Sequence, residues 1–412
     1  MSTEKRNILV TFDSHTPYLA YRVSSLQREL EARGLSDQVR LRVLLLGATD
    51  ATYDWDGGKL NEQYGGVPVT VLTDKFHGLG FRAYATKLAA KTTWKVLVNI
   101  LKERPKIAFV GGYDRPASLL IAAVGKIFRW KTGPMHDSRF NDSESYAKQV
   151  LLEAVKSPFM RFYNFFMCSG RECIDYTQFL AGTKRPAHFA GWNVVDNKGI
   201  GQKADDTSND ESLLKALGVQ PNEPFFFMAI RFLEKKNIFR VLEAYHRAKY
   251  SNRLAGKPLA KLVIAGKGPL REQAIDTIKK NGLENEVLLA DWVPYEQIPR
   301  AARLSNAVIL GSTHDQWGLI INEALSAGAP ALVSNRCGAH ELVHNALNGF
   351  TFDPYHTQHL SELLVECSIN EQLVARLRQH AAASMDQFSI KQFVNAWLTV
   401  FSDYGLIPRQ NS

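Results

Sequence analysis

The chain has 412 residues, of which 45% are apolar, 10% aromatic and 22% charged, and its formal net charge is +9. One core rarely serves a chain of this length, so two domains of about 200 residues each are expected. The composition argues against a disordered or fibrous protein. No apolar run reaches the roughly 18 residues of a membrane span and residues 1–6 are polar, so no secretory signal or membrane anchor is expected.

The four cysteines are too few for a disulfide framework. They indicate buried thiols in a reducing compartment, so the sequence predicts a cytoplasmic protein.

The positive charge is concentrated in the first half of the chain. Residues 1–205 contain 29 basic and 20 acidic side chains, whereas residues 206–412 contain 21 of each. This asymmetry indicates an anionic partner for the first half: a membrane surface, a phosphorylated acceptor or a nucleic acid. No zinc-ligand spacing, basic-aromatic repeat or compact recognition motif accompanies it, which argues against nucleic acid.

In chain order, strands and helices alternate twice. In the first half, strands are predicted at 7–13, 39–47, 67–72, 106–111, 163–169 and 188–195, and helices at 18–33, 82–104 and 116–128. From about residue 196 to 211 the chain is polar and lacks apolar periodicity, which indicates a linker or surface loop. Strands are then predicted at 225–230, 261–265, 287–289, 307–310 and 331–334, each followed by helical sequence.

This organisation predicts an α/β protein with two doubly wound parallel-sheet domains facing each other across a cleft. The predicted boundaries are an N-terminal domain at 1–197, a linker at 198–220, a C-terminal domain at 221–385 and a C-terminal helix at 386–412. That last helix is amphipathic, with Phe393, Trp397 and Phe401 at four-residue intervals. The pattern leaves open which domain it packs on, and it could cross back to the first.

One candidate anion site begins where a strand at 307–310 leads through the loop STHDQ into the helical run WGLIINEALSAG. Trp317 and Gly318 open this helix, and free amides at a helix start bind anions. Asp315 precedes the helix. Glu323 lies within the helix, eight residues after Asp315. A lone glutamate in a helix is usually exposed, so that alternative stands beside a functional one.

Two cations follow an earlier strand. Arg231 lies at the strand end and Lys236 lies five residues on, before a helix, where doubly wound domains bind ligands. They could converge on a diphosphate or be two solvated charges. Gly266 and Gly268 form a Gly-x-Gly turn after the next strand, which alone is a weak signal.

Together, R-x4-K (Arg231, Lys236), AGKGPL, D-x7-E with WG inside it, SAGAP, NRCGAHELV and NGFTF resemble the retaining glycosyltransferases of family 4, which have the GT-B fold. Order and spacing both fit from about 225 to 354, and the first half matches weakly. The resemblance implies that the domain at 221–385 binds the nucleotide sugar and that the domain at 1–197 binds the acceptor. It implies that Arg231 and Lys236 bind the donor diphosphate and that Glu323 holds the ribose hydroxyls. It further implies that Asp315 and the backbone of Trp317, Gly318 and Leu319 hold the donor sugar, beside Gly266 and Gly268. Asp315 departs from the family's usual glutamate, so the sugar could sit differently or be a different sugar.

In the first half, the resemblance suggests that His136, at a strand end, contacts the donor sugar near the reaction centre. The alternative is a structural, hydrogen-bonded histidine. The glycine pair that many family members have after the first strand is absent from DSHTPYLAYR.

No metal or other cofactor is expected, because cations and helix amides can stabilise a diphosphate leaving group. One Asp-x-Asp pair, Asp54 and Asp56, has the pattern of a divalent-metal site. Gly57 and Gly58 follow it directly, and we interpret it as a turn.

The predicted function is retaining transfer of a hexosyl group from a UDP- or GDP-sugar to a saccharide acceptor, lipid-linked, in bacterial-type surface polysaccharide or glycan synthesis. Two basic stretches, 82–106 and 148–161, suggest an anionic membrane surface as a partner, with peripheral association at its inner face, although helices with solvated lysines are the alternative. A sugar-nucleotide epimerase of the same fold and a non-catalytic sugar-nucleotide-binding protein remain alternative functions.

Overall fold

The computed structural model describes residues 5–50, 59–76, 87–140, 146–184, 186–189, 193–291 and 293–409. The predicted Asp54–Asp56 turn, the start of the predicted helix at residue 82 and its Arg82 lie outside the described residues. The chain forms two compact units. Unit 1 comprises Met1–Val194 and Ile390–Ser412, and unit 2 comprises Val195–Ser389.

Unit 1 is built on a seven-stranded parallel sheet in the order β4-β2-β1-β6-β7-β8-β9, beside a two-stranded pair, β3-β5. The strands are β1 Arg6–Ser14, β2 Val39–Gly47, β3 Thr49–Asp50, β4 Val69–Val71, β5 Lys75–Phe76, β6 Ile107–Gly111, β7 Lys131–His136, β8 Phe166–Cys168 and β9 Ala187–Phe189. The helices are α1 Pro17–Ala32, α2 Leu60–Gln63, α3 Lys87–Glu103, α4 Pro116–Phe128, α5 Tyr146–Met160, α6 Arg171–Ala181 and, from the end of the chain, α15 Ile390–Asp403.

Local sequence explains where the helices of unit 1 begin. The Thr16 hydroxyl caps α1 by accepting from the Leu19 amide at 3.1 Å, and Pro17 follows at a first-turn position. Pro116 opens α4 in the same way, and Arg129 ends it in the left-handed conformation.

The sheet of unit 1 has a core on each face. Helices α1 and α15 pack on one face, and α3, α4 and α6 with the end of α5 pack on the other. Trp397 of α15 stacks on Phe109 of β6 with ring centroids 3.7 Å apart. The C-terminal helix is therefore part of the core of unit 1.

Unit 2 holds a six-stranded parallel sheet in the order β12-β11-β10-β13-β14-β15. Its strands are β10 Phe225–Ala229, β11 Lys261–Ala265, β12 Val287–Ala290, β13 Ala307–Leu310, β14 Ala331–Ser334 and β15 Gly349–Phe352. Its helices are α7 Asn197–Asp205, α8 Asp210–Leu217, α9 Ile238–Lys249, α10 Arg271–Lys280, α11 Ile298–Leu304, α12 Leu319–Ser326, α13 Thr357–Ile369 and α14 Glu371–Ala381. Both units are Rossmann-like, as the alternation of strands and helices predicted.

The stretch predicted as a linker or surface loop differs from the structure, because α7 and α8 occupy most of it. The Asp196 side chain caps α7 by accepting from the Gly199 amide at 3.0 Å. Arg300 of α11 binds both carboxylate oxygens of Asp210 at 2.7 and 2.6 Å and the Ala204 carbonyl at 2.8 Å. Each of these short helices buries only one apolar pair, Ile200 with Ala204 in α7 and Leu213 with Leu217 in α8. A single pair is too little for apolar periodicity to indicate a helix.

Candidate functional site

The candidate site of unit 2 lies at the carboxyl ends of β10, β11 and β13. The strand order reverses between β10 and β13, which are neighbours in the sheet but distant in sequence. A crevice opens at such a switch point in doubly wound sheets, and ligands bind there. The loops after these strands contain Arg231 and Lys236, the Gly266–Gly268 turn, and Asp315.

The loop after β10 and the turn after β11 run side by side. The Ile230 amide donates to the Ala265 carbonyl at 2.9 Å and the Phe232 amide to the Lys267 carbonyl at 3.0 Å. The Phe232 carbonyl in turn accepts from Leu270 at 3.1 Å. This pairing sets the exposed side chain of Arg231 beside the Gly-x-Gly turn.

Both glycines of that turn are required by the close approach. A Cβ at Gly266 would overlap the Ile230 carbonyl oxygen, and one at Gly268 would lie 2.7 Å from the Phe232 amide nitrogen. Their φ angles, +141° and +152°, lie in a region that other residues rarely adopt. The structure thus gives the motif a packing role, and its contact with a donor stays a prediction.

Lys236 and Asp315 are in direct contact. Lys236 ends a 3₁₀ turn, Glu234–Lys236, and its ammonium donates a hydrogen bond to Asp315 Oδ2. Their side chains are only 17% and 15% exposed, so solvent screens the pair weakly. The predicted diphosphate-binding cation and the predicted sugar-binding acid therefore form an ion pair.

The loop containing Asp315 is held by the turn after β14. The Asp315 amide donates to the Arg336 carbonyl at 3.2 Å, and the Gly338 amide donates to the Asp315 carbonyl at 3.1 Å. A Cβ at Gly338 would overlap the Gln316 carbonyl oxygen. The NRCGAHELV turn thus fixes the backbone beside Asp315, and its glycine permits the close approach.

Helix α12 begins after Gly318, which has a φ of +106°. The preceding Trp317 is 5% exposed, and its indole N–H donates to Asn322 Oδ1 at 2.7 Å. The side chain of Trp317 is therefore engaged inside the unit, which leaves its backbone as the group able to meet a ligand. The first amides of a helix have no partner within it, and in α12 the Ile321 amide donates to the Gly318 carbonyl at 3.0 Å, so the Leu319 and Ile320 amides are those at the open end.

Glu323 is 4% exposed on α12. The alternative of an ordinary solvent-facing glutamate is therefore wrong. A buried carboxylate carries a desolvation cost, which hydrogen bonds from hydroxyl or amide donors offset.

Sequence reasoning missed two polar residues beside the site. Asn237 is buried, with a φ of +58°, and donates to the Gly311 and Pro354 carbonyls, each at 3.0 Å. It thereby ties the loop after β13 to the start of α9. Ser312 is fully buried, and its hydroxyl has no hydrogen-bond partner among the described residues. Only the strand-end position of Ser312 could have indicated it.

His136 lies in unit 1, at the end of β7, and is 4% exposed. Its Nε2 is 3.1 Å from the Thr177 hydroxyl, and its Nδ1 is 3.6 Å from Cys173 Sγ. Both ring nitrogens are thus engaged inside the unit. This geometry does not support contact with a donor sugar and favours the alternative, a structural, hydrogen-bonded histidine.

Among the described residues, the cluster around His136 is the one group of side chains whose types and spacing could hold a metal ion. One ligand atom each from His136, Cys168 and Cys173 lie within 4.8 Å of one another. Thr177 also contacts Cys168, at 3.5 Å, and burial raises the pKa of the Cys173 thiol well above its ordinary value. The Cys173 thiol therefore remains protonated within this hydrogen-bonded cluster, and the expectation that no metal is required stays a prediction.

The fold class is shared with solved GT-B enzymes. The chain is similar to Anabaena HepE in complex with UDP and glucose, with a TM-score of 0.70 and 19% identity, covering 97% of this chain and 100% of that one. It is likewise similar to a Rickettsia africae glycosyltransferase, with a TM-score of 0.70 and 14% identity, covering 97% and 98% of the two chains. Two Rossmann-like domains of this kind define the GT-B fold.

The family follows from the sequence of unit 2. Residues 209–384 match the family described as glycosyl transferases group 1, so the C-terminal half contains a domain of that family. A curated relative from Escherichia coli, UDP-Gal:alpha-D-GlcNAc-diphosphoundecaprenol alpha-1,3-galactosyltransferase, is 34% identical over 34% of this chain and 35% of its own length. N-acetyl-alpha-D-glucosaminyl L-malate synthase from Bacillus anthracis is 21% identical over 46% of this chain and 48% of its own. The chain thus spans less than half of the length of either relative.

Proposed function

We propose that the protein transfers a hexosyl group from a nucleotide-diphosphate sugar to a saccharide acceptor with retention at the anomeric carbon. The observation that supports this most is the Lys236–Asp315 pair at the switch point of unit 2. It brings together, across 79 positions of sequence, the two residues to which the family resemblance assigns the diphosphate and the sugar.

In the proposed mechanism, Lys236 and Arg231 stabilise the charge that develops on the leaving diphosphate, and the first amides of α12 add to that field. Glu323 accepts hydrogen bonds from the ribose hydroxyls. Asp315 orients Lys236 and accepts a hydrogen bond from a hydroxyl of the donor sugar. The acceptor attacks from the face that the diphosphate leaves, which retains the anomeric configuration, and its proton passes to the leaving phosphate oxygen.

The donor is proposed to be a UDP- or GDP-sugar, and the comparisons favour UDP. HepE was solved in complex with UDP, glucose and UDP-glucose. The name of the E. coli relative specifies UDP-galactose as its donor.

The acceptor is proposed to be a saccharide linked to a lipid diphosphate. The name of the same relative specifies such an acceptor. Unit 1 also contains 29 basic and 19 acidic side chains, an excess of ten that suits an anionic acceptor. In the part of the chain that the structure describes, no helix has the length and hydrophobicity needed to cross a bilayer. Assembly of surface polysaccharide or another glycan is the role consistent with such an acceptor.

The experiment that tests this proposal is a transfer assay with UDP-glucose, UDP-galactose and GDP-mannose, with and without a prenyl-diphosphate-linked saccharide. Nucleotide diphosphate should be released only when acceptor is present, and the product should show the anomeric configuration of the donor by NMR. Release from the sugar nucleotide without acceptor would instead indicate an epimerase. Donor binding without any turnover would indicate a non-catalytic binding protein.

Substitution of Glu323 tests the assigned site in the same assay. Glu323→Gln keeps the side-chain shape and removes the charge, so kcat/KM should fall about 10- to 100-fold, the effect of a hydrogen bond to a charged group. The control is Glu234→Gln, since Glu234 is an exposed carboxylate on the neighbouring turn. Equal activity of the two variants would show that the donor site is wrongly assigned.

A further inference from the structure

The exposed large apolar side chains of unit 1 lie on one layer of helices. In the described part of that unit they are Trp94, Val98, Leu101, Ile127, Phe128, Val150, Leu151, Val155, Phe162 and Phe179. All belong to α3, α4, α5 or α6, or follow α5 by two residues. The opposite face of the sheet is covered by α1 and α15, and neither helix has such a residue. We call the outer surface of α3–α6 the apolar layer.

Helix α3 shows how unusual this surface is. Trp94, Val98 and Leu101 are 65%, 46% and 38% exposed and share one stripe at i, i+4 and i+7. Val96 and Ile100, on the other side of the helix, are fully buried. The helix is thus apolar on both sides, whereas a helix that covers a sheet in water is polar outside.

Helix α5 has the inverse of the usual pattern. Leu151 and Val155 are 66% and 57% exposed, whereas Glu153 is 8% exposed. The Glu153 carboxylate accepts from the Tyr176 hydroxyl at 3.1 Å and lies 3.6 Å from the Lys156 ammonium. Burial of the Glu153 charge and exposure of Leu151 and Val155 are both unfavourable for stability. The apolar character of this surface therefore indicates an interaction site.

Cations accompany the apolar layer. Lys91, Lys102, Arg104 and Arg129 lie at its exposed positions on and beside α3 and α4. Among the described residues, none of the four forms a salt bridge with a carboxylate. Exposed apolar side chains with cations around them match the interface of an anionic bilayer in both respects.

We propose that the apolar layer docks on an anionic membrane leaflet, with Trp94, Ile127 and Phe128 entering the headgroup region. This inference rests on the proposed function only for its purpose, which is to bring the enzyme to a lipid-linked acceptor. The charge decides against a second copy of the chain as the occupant. In a two-fold interface the same surface of each copy meets the other, so two surfaces with an excess of cations would face each other.

The test is flotation of the full chain with vesicles of phosphatidylcholine alone or with 30% phosphatidylglycerol. The wild type is expected to float at least fivefold better with the anionic vesicles, and 0.5 M NaCl should reduce this advantage. The triple variant Trp94→Ser/Ile127→Ser/Phe128→Ser should lose about tenfold in recovery. Tyr250→Ser is the matched control, because Tyr250 is as exposed as Trp94, at 65%, but lies in unit 2.

A charge variant keeps the test decisive if the triple variant fails to fold. Each lysine near an anionic surface strengthens binding about fivefold, so Lys91→Glu/Lys102→Glu should lower the partition coefficient at least 25-fold. Equal recovery of the wild type with both vesicle types would overturn the proposal. A concentration-dependent dimer in light scattering that the triple variant abolishes would also overturn it, in favour of self-association.

Failure of docking and failure of the proposed function are distinguishable. The triple variant should keep full transfer to a short-chain, water-soluble acceptor, because the three side chains are exposed on the outer surface of α3 and α4 and none of them is assigned to the donor site. Transfer without flotation would overturn the docking proposal alone, whereas flotation without transfer to any acceptor would overturn the function alone.

Discussion

Lys236 and Asp315 contact each other although 79 positions separate them. The resemblance named both residues and assigned them to different parts of a donor, and the structure adds that they are paired. A pairing of this kind depends on the order of strands in the sheet. The sequence pattern identified β10 and β13 as strands but could not place them side by side.

The hydrogen-bond partners of His136 and Trp317 could not be predicted from residue type. Each was singled out from a motif, and each side chain is engaged by a buried neighbour: Thr177 and Cys173 for His136, and Asn322 for Trp317. Nothing in their spacing indicated these partners. Motif position therefore predicts the location of a side chain better than the direction in which its polar atoms point.

The turn after β11 yields a prediction for one residue. Gly266→Ala should destabilise the protein by more than ~3 kcal/mol, since its Cβ would overlap the Ile230 carbonyl oxygen at a φ that alanine rarely adopts. Urea denaturation measures the change. The control is Gly201→Ala in α7, where the nearest atom to a Cβ is 3.8 Å away, and a gain of about 0.5–1 kcal/mol is expected. Similar effects of the two substitutions would contradict this account of the turn.

At the scale of elements, buried strands were the most predictable part of the fold. Those predicted at 39–47, 261–265, 307–310 and 331–334 have the predicted bounds in the structure. Apart from Arg40, Arg42, Lys261 and Ser334 these strands contain only apolar residues and glycine, which reflects burial on both faces of a parallel sheet. Helices α7 and α8 were missed because they are short and each buries a single apolar pair, while Arg300 binds Asp210 and the Ala204 carbonyl.

Helix α15 yields a prediction at this scale. Trp397 is 1% exposed and stacks on Phe109, so Trp397→Ala should cost about 3–5 kcal/mol in the free energy of unfolding. Trp94→Ala is the matched control, because Trp94 is 65% exposed on α3 and its loss should change stability by less than ~0.5 kcal/mol. Chemical denaturation of both variants measures the contrast. If the two cost the same, α15 is not part of the core of unit 1.

At the scale of the whole molecule, the sequence predicted two α/β domains, and each unit has its own sheet and core. The amphipathic pattern of the last helix left open where it packs, because such a pattern defines an apolar face but not its partner. In the structure, that face completes unit 1, so only unit 2 is continuous in sequence.

This connectivity predicts how fragments behave. The fragment 195–389 should fold alone and unfold cooperatively, since its core is formed from within the fragment. The fragment 1–194 should not fold stably without the buried side chains of α15. Circular dichroism during thermal unfolding tests both fragments. A cooperative transition of 1–194, as sharp as that of 195–389, would show that α15 is dispensable.

The central claim is that unit 2 binds a nucleotide-diphosphate sugar through Lys236. The most direct measurement is thermal unfolding of the wild type, Lys236→Ala and Lys235→Ala with a panel of UDP- and GDP-sugars, since a ligand that binds only the folded state raises the melting temperature. Lys235 is the exposed neighbour of Lys236 and serves as the control. At least one sugar nucleotide should raise the melting temperature of the wild type and Lys235→Ala but not of Lys236→Ala. An absence of any shift in the wild type, or an equal shift in all three proteins, would contradict the claim.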